Sequence, residues 1–534
     1  MIRLLVRRHR IAFLAWIAGL LTLVAVTAPS YEASYGDPGS RTVLVEQLQS
    51  TQGSKVLYGE LPDPGTLGQL FAWETGSYLI ILAAVMAVLL AISMTRGEED
   101  AGTLELVRSV GVRPGVPLGA AITVLAGACA AVGGGSALIL VAQSATIAEL
   151  TVRGGLAFGA VAFLASLCCG LWAVICAQLR PDARSARGWA FTAVAVGFAE
   201  RVVADFGSGR WAEVLQWLTP FGWKSVVAPY TDDWFWALLP MAAITATFGI
   251  VAALLARRRE LGSALVPGAG RSTRGLGVPT PEVWVWLSAR GSVLGWSLAV
   301  LGTAALFGSM TDGLVTAIAT DPVTGELMQQ LGGPADPVAA YFAFLGTFVA
   351  LLVMIAGAVL VLRFRGEEAS GRLVHELATG IRRWRSLLAR VLVAAVVSVG
   401  LLAGAAVVMG LIGEAQLDGG EPLAYAFSAT LGEAPGVLAA IGLTALLAGL
   451  APRRASLIWL VIAWSGFTVL FGTLVDLPQW LVDLSLLGHT PEAGMGTPDW
   501  GAWLGPVPGG LAAGALLGTG AAAALVGRRD LRVG

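Results

Sequence analysis

Strongly apolar runs without a charge recur along the chain and are separated by short polar stretches. The cleanest lie between Arg113 and Glu149, Arg153 and Arg180, Asp336 and Arg363, and Arg390 and Glu414. Each is longer than the roughly 20 helical residues that cross a hydrocarbon core about 30 Å thick. Period-two alternation is absent, and the runs exceed the roughly 9–11 residues of a barrel strand, so helices are predicted rather than a closed β-barrel. Counting the weaker runs as well predicts twelve spans, an all-α polytopic membrane protein. The N-terminal stretch RLLVRRHRIAFLAWIAGLLTLVAVTAPS has the basic front and small-residue tail of a secretory signal. Its apolar part is too long for a typical signal, which makes it an uncleaved first span.

The polar stretches carry a repeat. RGEEDAGTLELVRSVGVRP begins at Arg96 and RGEEASGRLVHELATGIRRWR at Arg365, an offset of 269. Gly197-Phe198 matches Gly466-Phe467 at the same offset, Pro181 and Ser185 match Pro452 and Ser456, and RREL at 258–261 matches RRDL at 528–531. The pattern is that of a tandem duplication. Six spans per copy is an even number, so both copies enter the membrane from one side and form parallel rather than inverted repeats. The expected layout is a first half at 1–262, a Gly-, Pro- and Arg-rich linker at 263–280, and a second half at 281–534.

Composition and charge sharpen this picture. The chain is 56% apolar and 13% charged, against about 25% charged in soluble domains. The segments assigned to the side holding both termini contain 28 of the 34 Lys and Arg residues, which makes that side the cytoplasm. The opposite surface is acidic. Cys129, Cys168, Cys169 and Cys176 all fall in predicted spans, where no disulfide framework is expected. His9, His375 and His489 lie far apart, without metal-ligand spacing. Neither Lys55 nor Lys224 follows a glycine, so a phosphate-binding Walker loop is missing and the chain itself binds no cofactor by that route. No nucleic-acid partner is expected.

Three acidic residues directly beside a greasy helix are ordinarily a solvated helix end. Their duplication, while the neighbouring apolar residues differ, points to selection on the loop itself. Glu98, Glu99 and Glu105 precede Arg108 and Arg113, an order that suits a helix dipole. Leu104, Val107 and Val110, like Leu373, Leu377 and Ile381, fall on one face, so each short helix is expected to lie on the membrane surface with its carboxylates toward the cytoplasm. The candidate coupling residues are Arg96, Gly97, Glu98, Glu99 and Gly102, with Arg365, Gly366, Glu367, Glu368 and Gly371.

These loops, the six-plus-six arrangement and the RR(E/D)L endings resemble the permease subunits of ATP-binding-cassette type-2 exporters, above all the actinobacterial polyketide-antibiotic group that includes tetronasin-resistance permeases. The resemblance implies that each loop is a coupling helix seated on a separate ATPase. It also implies that ATP and Mg act through two copies of that partner, and that ATPase closure rocks the halves between inward- and outward-facing states. Further implications are a hydrophobic or amphipathic small-molecule substrate, surrounding lipid of the bacterial cytoplasmic membrane, and short helices dipping into the outer leaflet at 214–230 and 480–495. An ion-coupled secondary transporter would want ionisable residues at mid-membrane, where these spans have few. A membrane scaffold would not need twelve spans.

One mismatch between the copies stands out: Glu200 and Arg201 align with Val469 and Leu470. Glu200 lies 13 residues past Arg187, about 20 Å along a helix. An ionisable pair at that depth is a candidate substrate contact or outer gate, against the simpler reading of two side chains snorkelling to the interface. Gly133-Gly134-Gly135 reads as close helix packing.

Overall fold

The computed structural model describes residues 1–36, 38–50, 52–260, 262–266, 278–320, 336–369, 371–417, 421–471, 479–488 and 506–528. Most of the linker, much of the second outer loop, the end of the 480–495 stretch, His489 and most of the C-terminal RRDL lie outside the described residues. Among the described residues all regular structure is helical, and ten segments are long and apolar enough to cross a membrane. The protein is a multi-pass membrane protein. It divides into two compact units, Met1–Thr273 and Arg274–Gly534.

In the first unit the principal helices are α1 (Ile2–Tyr35), α2 (Leu67–Met94), α3 (Thr103–Ser109), α4 (Gly115–Gln143), α5 (Val152–Leu179), α6 (Ala183–Phe206), α7 (Arg210–Leu218), α8 (Trp223–Val227) and α9 (Leu238–Arg258). Their starts are written locally. Thr66 and Gln69 form a capping box before α2, Thr151 accepts from Gly154 N at 3.0 Å before α5, and Asp182 accepts from Ser185 N at 2.9 Å before α6. Each oxygen satisfies an amide left bare by the first turn.

Helices α4 and α5 meet at Gly133 and Gly159. A Cβ added at Gly133 would stand 2.5 Å from the Gly159 carbonyl oxygen, and one at Gly159 would stand 2.4 Å from that of Gly133. Close backbone approach is what small residues permit in a bilayer, where burial of apolar surface offers no drive for association. The glycine run thus packs helices at Gly133, while Gly135 receives Leu21 of α1.

The second unit contains α10 (Pro281–Gly308), α11 (Pro337–Ala369), α12 (Arg372–Leu377), α13 (Arg383–Glu414), α14 (Pro422–Gly432), α15 (Ala434–Leu450), α16 (Ile458–Phe471) and α17 (Pro506–Arg528). Helices α14 and α15 together make one span, interrupted at Glu433 ahead of Pro435. Gly442 and Gly449 of α15 lie against Ala515 and Ala522 of α17, the same small-residue packing as in the first unit.

Among the described residues ten segments rather than twelve meet the length and hydropathy of a span. The difference falls on α6 and α16. Helix α6 has 24 residues but carries Arg184 and Arg187 near its start and Glu200, Arg201 and Asp205 near its end. Only 14 residues of α16 are described, preceded by a 3-10 turn at Pro452–Leu457.

Candidate functional site

The first acidic loop begins where α2 breaks. Thr95 leaves the helical region, with φ −114° and ψ −89°, and its hydroxyl donates back to the Ala91 carbonyl at 2.6 Å. A single turn, Arg96–Asp100, follows, and then Gly102 at φ 70° and ψ −1° reverses the chain into α3. A side chain at that φ is disfavoured, whereas glycine adopts it without cost.

Arg96 is the hub of this loop and is only 1% exposed. Its guanidinium donates to the Pro181 carbonyl through Nε at 3.0 Å and also through Nη2, to Glu99 Oε2 at 3.0 Å, and to the Ser263 carbonyl at 3.1 Å. Glu99 also receives Arg259 at 2.6 Å and the Gly262 amide at 2.7 Å. Glu98, 6% exposed, forms an ion pair with Arg8, whose Nε lies 3.0 Å away, and lies 3.2 Å from His9 Nε2. Asp100 accepts from the Ala183 amide at 2.7 Å. The loop therefore ties together the start of α1, the α5–α6 connection and the chain after α9.

This corrects the expectation that Glu98 and Glu99 face the cytoplasm; Asp100 and Glu105 remain exposed. Buried carboxylates need partners, and the intrachain cations Arg8, Arg96 and Arg259 supply them. The outward side of α3 carries Glu105 and Ser109 together with exposed apolar residues: Leu106 is 71% exposed, and Val110, just past its end, is 78% exposed.

In the second unit α11 runs unbroken through Arg365, Gly366, Glu367 and Glu368 to Ala369, and Gly371 turns at φ 71° and ψ −2° into α12. The cation here is Arg390 of α13, 3% exposed, which was not anticipated from the sequence. It binds Glu376 Oε2 at 2.7 Å, Ser386 Oγ at 2.6 Å and the carboxylate of Glu367. Glu368 is buried, Arg365 is half-buried, and no ion pair of Arg365 is found among the described residues. Leu373 is buried in the core, and Val374 and His375 of α12 face outward.

At the other end of the first unit, the expected Glu200–Arg201 pair is not formed. Successive helical residues do not face each other, whereas residues four apart do. Arg201 pairs with Asp205 at 3.3 Å and donates to the Val56 carbonyl, while Glu200 is half-buried beside them. Lys224 of α8 donates to the carbonyls of Tyr58 and Trp73 at 3.0 and 2.6 Å and to Ser77 Oγ at 2.7 Å. Burial pushes its amino group down to about 7; the Arg201 charge adds to the shift and Asp205 opposes it. Two cations that the second copy lacks at these positions thus hold residues 56–58 of the outer loop onto the helices. The following turns are alike in both units: Thr219 Oγ1 accepts from Phe221 N at 3.4 Å and Ser485 Oγ from Leu487 N at 3.1 Å.

Glu433, at the α14–α15 break, is another buried carboxylate that sequence reasoning passed over, although its position inside an apolar run was the signal for it. It accepts from Thr347 Oγ1 at 3.1 Å and from the Gly488 amide at 3.2 Å.

Comparison with known proteins adds two findings. Residues 280–524 match the family model described as the C-terminal domain of the multidrug efflux system permease Rv1217c. The chain is also 30% identical over 517 residues to the multidrug efflux system permease protein Rv1217c of Mycobacterium tuberculosis, covering 93% of this chain and 89% of that protein.

Proposed function

The chain belongs to the multidrug efflux permease family, and from that premise we propose that it is the transmembrane subunit of an ATP-driven exporter of hydrophobic or amphipathic compounds. ATP and Mg are bound and used by two copies of a separate cytoplasmic ATP-binding-cassette subunit; this chain contributes translocation and no hydrolytic site. The observation that supports this best is the matched geometry of the two loops. Gly102 and Gly371 share φ 70° and 71°, and Gly111 and Gly380, at the far ends of the short helices, share φ 84° and 87°. Two copies of one turn and short helix suit two copies of one soluble partner.

In this reading the carboxylates do not dock the ATPase. They lock the short helices to the spans, so that a push on α3 or α12 moves the membrane helices with it. Docking falls to the outward faces, Leu106 and Val110 in one loop and Val374 and His375 in the other. Helices α6 and α16 serve as the fifth spans, completing twelve in two parallel halves of the bacterial cytoplasmic membrane with both termini in the cytoplasm, the side favoured by the Lys and Arg bias. An ion-coupled carrier gains little from Glu433, whose oxygens are engaged by Thr347 and Gly488.

The test is drug export by the chain reconstituted with its ATPase. Export is expected to require ATP and to vanish without the partner; export driven by a proton gradient alone would overturn the reading. Cysteine labelling tests the topology. Cysteines at Ser50 and Gly325 are expected to react from outside and those at Arg184 and Gly270 only after permeabilisation; outside reactivity at Gly270 would contradict parallel halves.

A further inference from the structure

The start of α1 carries a face that the first unit does not cover. Leu5, Phe13 and Leu20 form its buried side and pack into the core. On the opposite side Arg3, Arg7 and Arg10, spaced i, i+4 and i+7, make one exposed stripe, since residues three and four apart are neighbours on a helix. The stripe then turns apolar. Ile11 and Leu14 are 76% and 68% exposed, and Ala15, Ala18 and Thr22 continue it as exposed residues. On a spanning helix such a face suits lipid tails, which sets the three arginines at the level of the headgroups.

These arginines have no internal use. Among the described residues none of the three has an ion pair, whereas the intervening Arg8 is spent on Glu98. The only carboxylate of α1 is Glu32 at its far end, about 30 Å along the axis from Arg10. Arg3 to Arg10 covers about 10 Å, close to the roughly 5–8 Å of headgroup layer on each side of a 30 Å core. A guanidinium presents a fork of donors that fits phosphate oxygens, and basic residues beside a span attract anionic lipid. A general excess of basic residues on one side of the membrane does not require three of them on one lipid-facing stripe. The second unit shows as much. Its first span, α10, has Glu282 in its first turn, exposes Val283, Trp284 and Trp286, and carries Arg290 as its only cation. Tryptophan suits the interface without selecting headgroup charge.

We propose that Arg3, Arg7 and Arg10 form a binding site for an anionic phospholipid of the adjoining leaflet, the cytoplasmic one in the proposed topology. The headgroup phosphate is held between the guanidiniums and the acyl chains lie along Ile11 and Leu14. Arg8 and His9, on the same turns, hold Glu98 of the first loop, so a lipid fixed here also braces that loop. The site stands whether or not the exporter reading does.

The experiment titrates the full chain in detergent micelles with dioleoylphosphatidylglycerol, or with the zwitterionic dioleoylphosphatidylcholine, and counts bound lipid by native mass spectrometry. Phosphatidylglycerol is expected to bind at least about tenfold more tightly. Arg3→Gln, Arg7→Gln and Arg10→Gln together should abolish that preference, whereas Lys at the same three positions, which keeps the charge, should retain most of it. A charge-matched control, Arg184→Gln, Arg187→Gln and Arg258→Gln, removes three exposed arginines elsewhere in the first unit and should keep the wild-type preference. No preference in the wild type, or an equal loss in the control, would overturn the site. Displacement of the lipid by inorganic phosphate alone would also overturn it, leaving a site for free anions. Hydrogen exchange tests the bracing: for the wild type, exchange across 96–109 is expected to be slower in nanodiscs containing phosphatidylglycerol than in pure phosphatidylcholine, and for the Gln triple variant equal in both. Equal rates in the wild type would overturn the bracing.

Discussion

The two RGEE loops share a backbone and differ in their wiring. Gly102 and Gly371 turn within a degree of each other in both φ and ψ, yet the cation that neutralises each loop comes from a different place. In the first loop it is the motif's own Arg96, assisted by Arg8 and Arg259 from distant segments. In the second it is Arg390, from the next span, and the matching Arg365 is not the hub. The two loops share the turn and its acids while taking the counter-charge from different places. What the two loops have in common is the geometry that presents a short helix; how the helix is anchored differs.

That comparison can be broken most sharply at the hubs. Arg390→Ala leaves the buried Glu376 without its cation, a loss of about 3–5 kcal/mol; Arg96→Ala leaves Glu99 with Arg259 and strands the Pro181 and Ser263 carbonyls, a loss nearer the lower end of that range. Arg365→Ala should cost no more than about 1 kcal/mol, as for a surface charge. Thermal unfolding of the purified chain in nanodiscs ranks the three; an Arg365 variant as damaged as Arg96→Ala would erase the distinction. A smaller effect sharpens it. Arg8→Ala combined with His9→Ala removes both partners of Glu98, and hydrogen exchange is expected to quicken across 96–109 and stay unchanged across 365–377. Faster exchange in both loops would mean that the anchors are not separate. A further effect should be equal in the two units: Gly102→Ala and Gly371→Ala place a side chain in the left-handed region, costing about 1–2 kcal/mol. The new Cβ at Gly102 meets no atom within 4 Å, so strain alone sets the penalty there, and unequal losses would show that the turns are not equivalent.

Much of this was legible in the chain. Uncharged runs announce spans because an exposed backbone in hydrocarbon is prohibitive, and the recurrence of RGEE exposed the loops because the acids match while their neighbours differ. The wiring was not legible. Nothing in the spacing says that Arg390 reaches back 23 residues to Glu367 or that Arg259 reaches Glu99, since such pairs are set by helix packing. Lys224 was hidden for another reason: its partners Tyr58 and Trp73 act through carbonyls, which have no side-chain signature. Asp205 was within reach, four residues after Arg201, but the mismatch at Glu200 drew the pairing one residue away from the helical repeat. Helix α6 was counted as a span from its apolar middle, where its charged ends set it apart from the ten clear ones.

The central claim is that the carboxylates anchor while the outward faces dock. Capture of the ATPase by the full chain tests it most directly, comparing Leu106→Glu combined with Val110→Glu against Glu105→Gln, a change at the exposed edge of the same helix. The account predicts that the double variant loses at least tenfold in ATPase affinity while its unfolding temperature stays that of the wild type, and that Glu105→Gln binds normally. Wild-type ATPase capture by the double variant would contradict it.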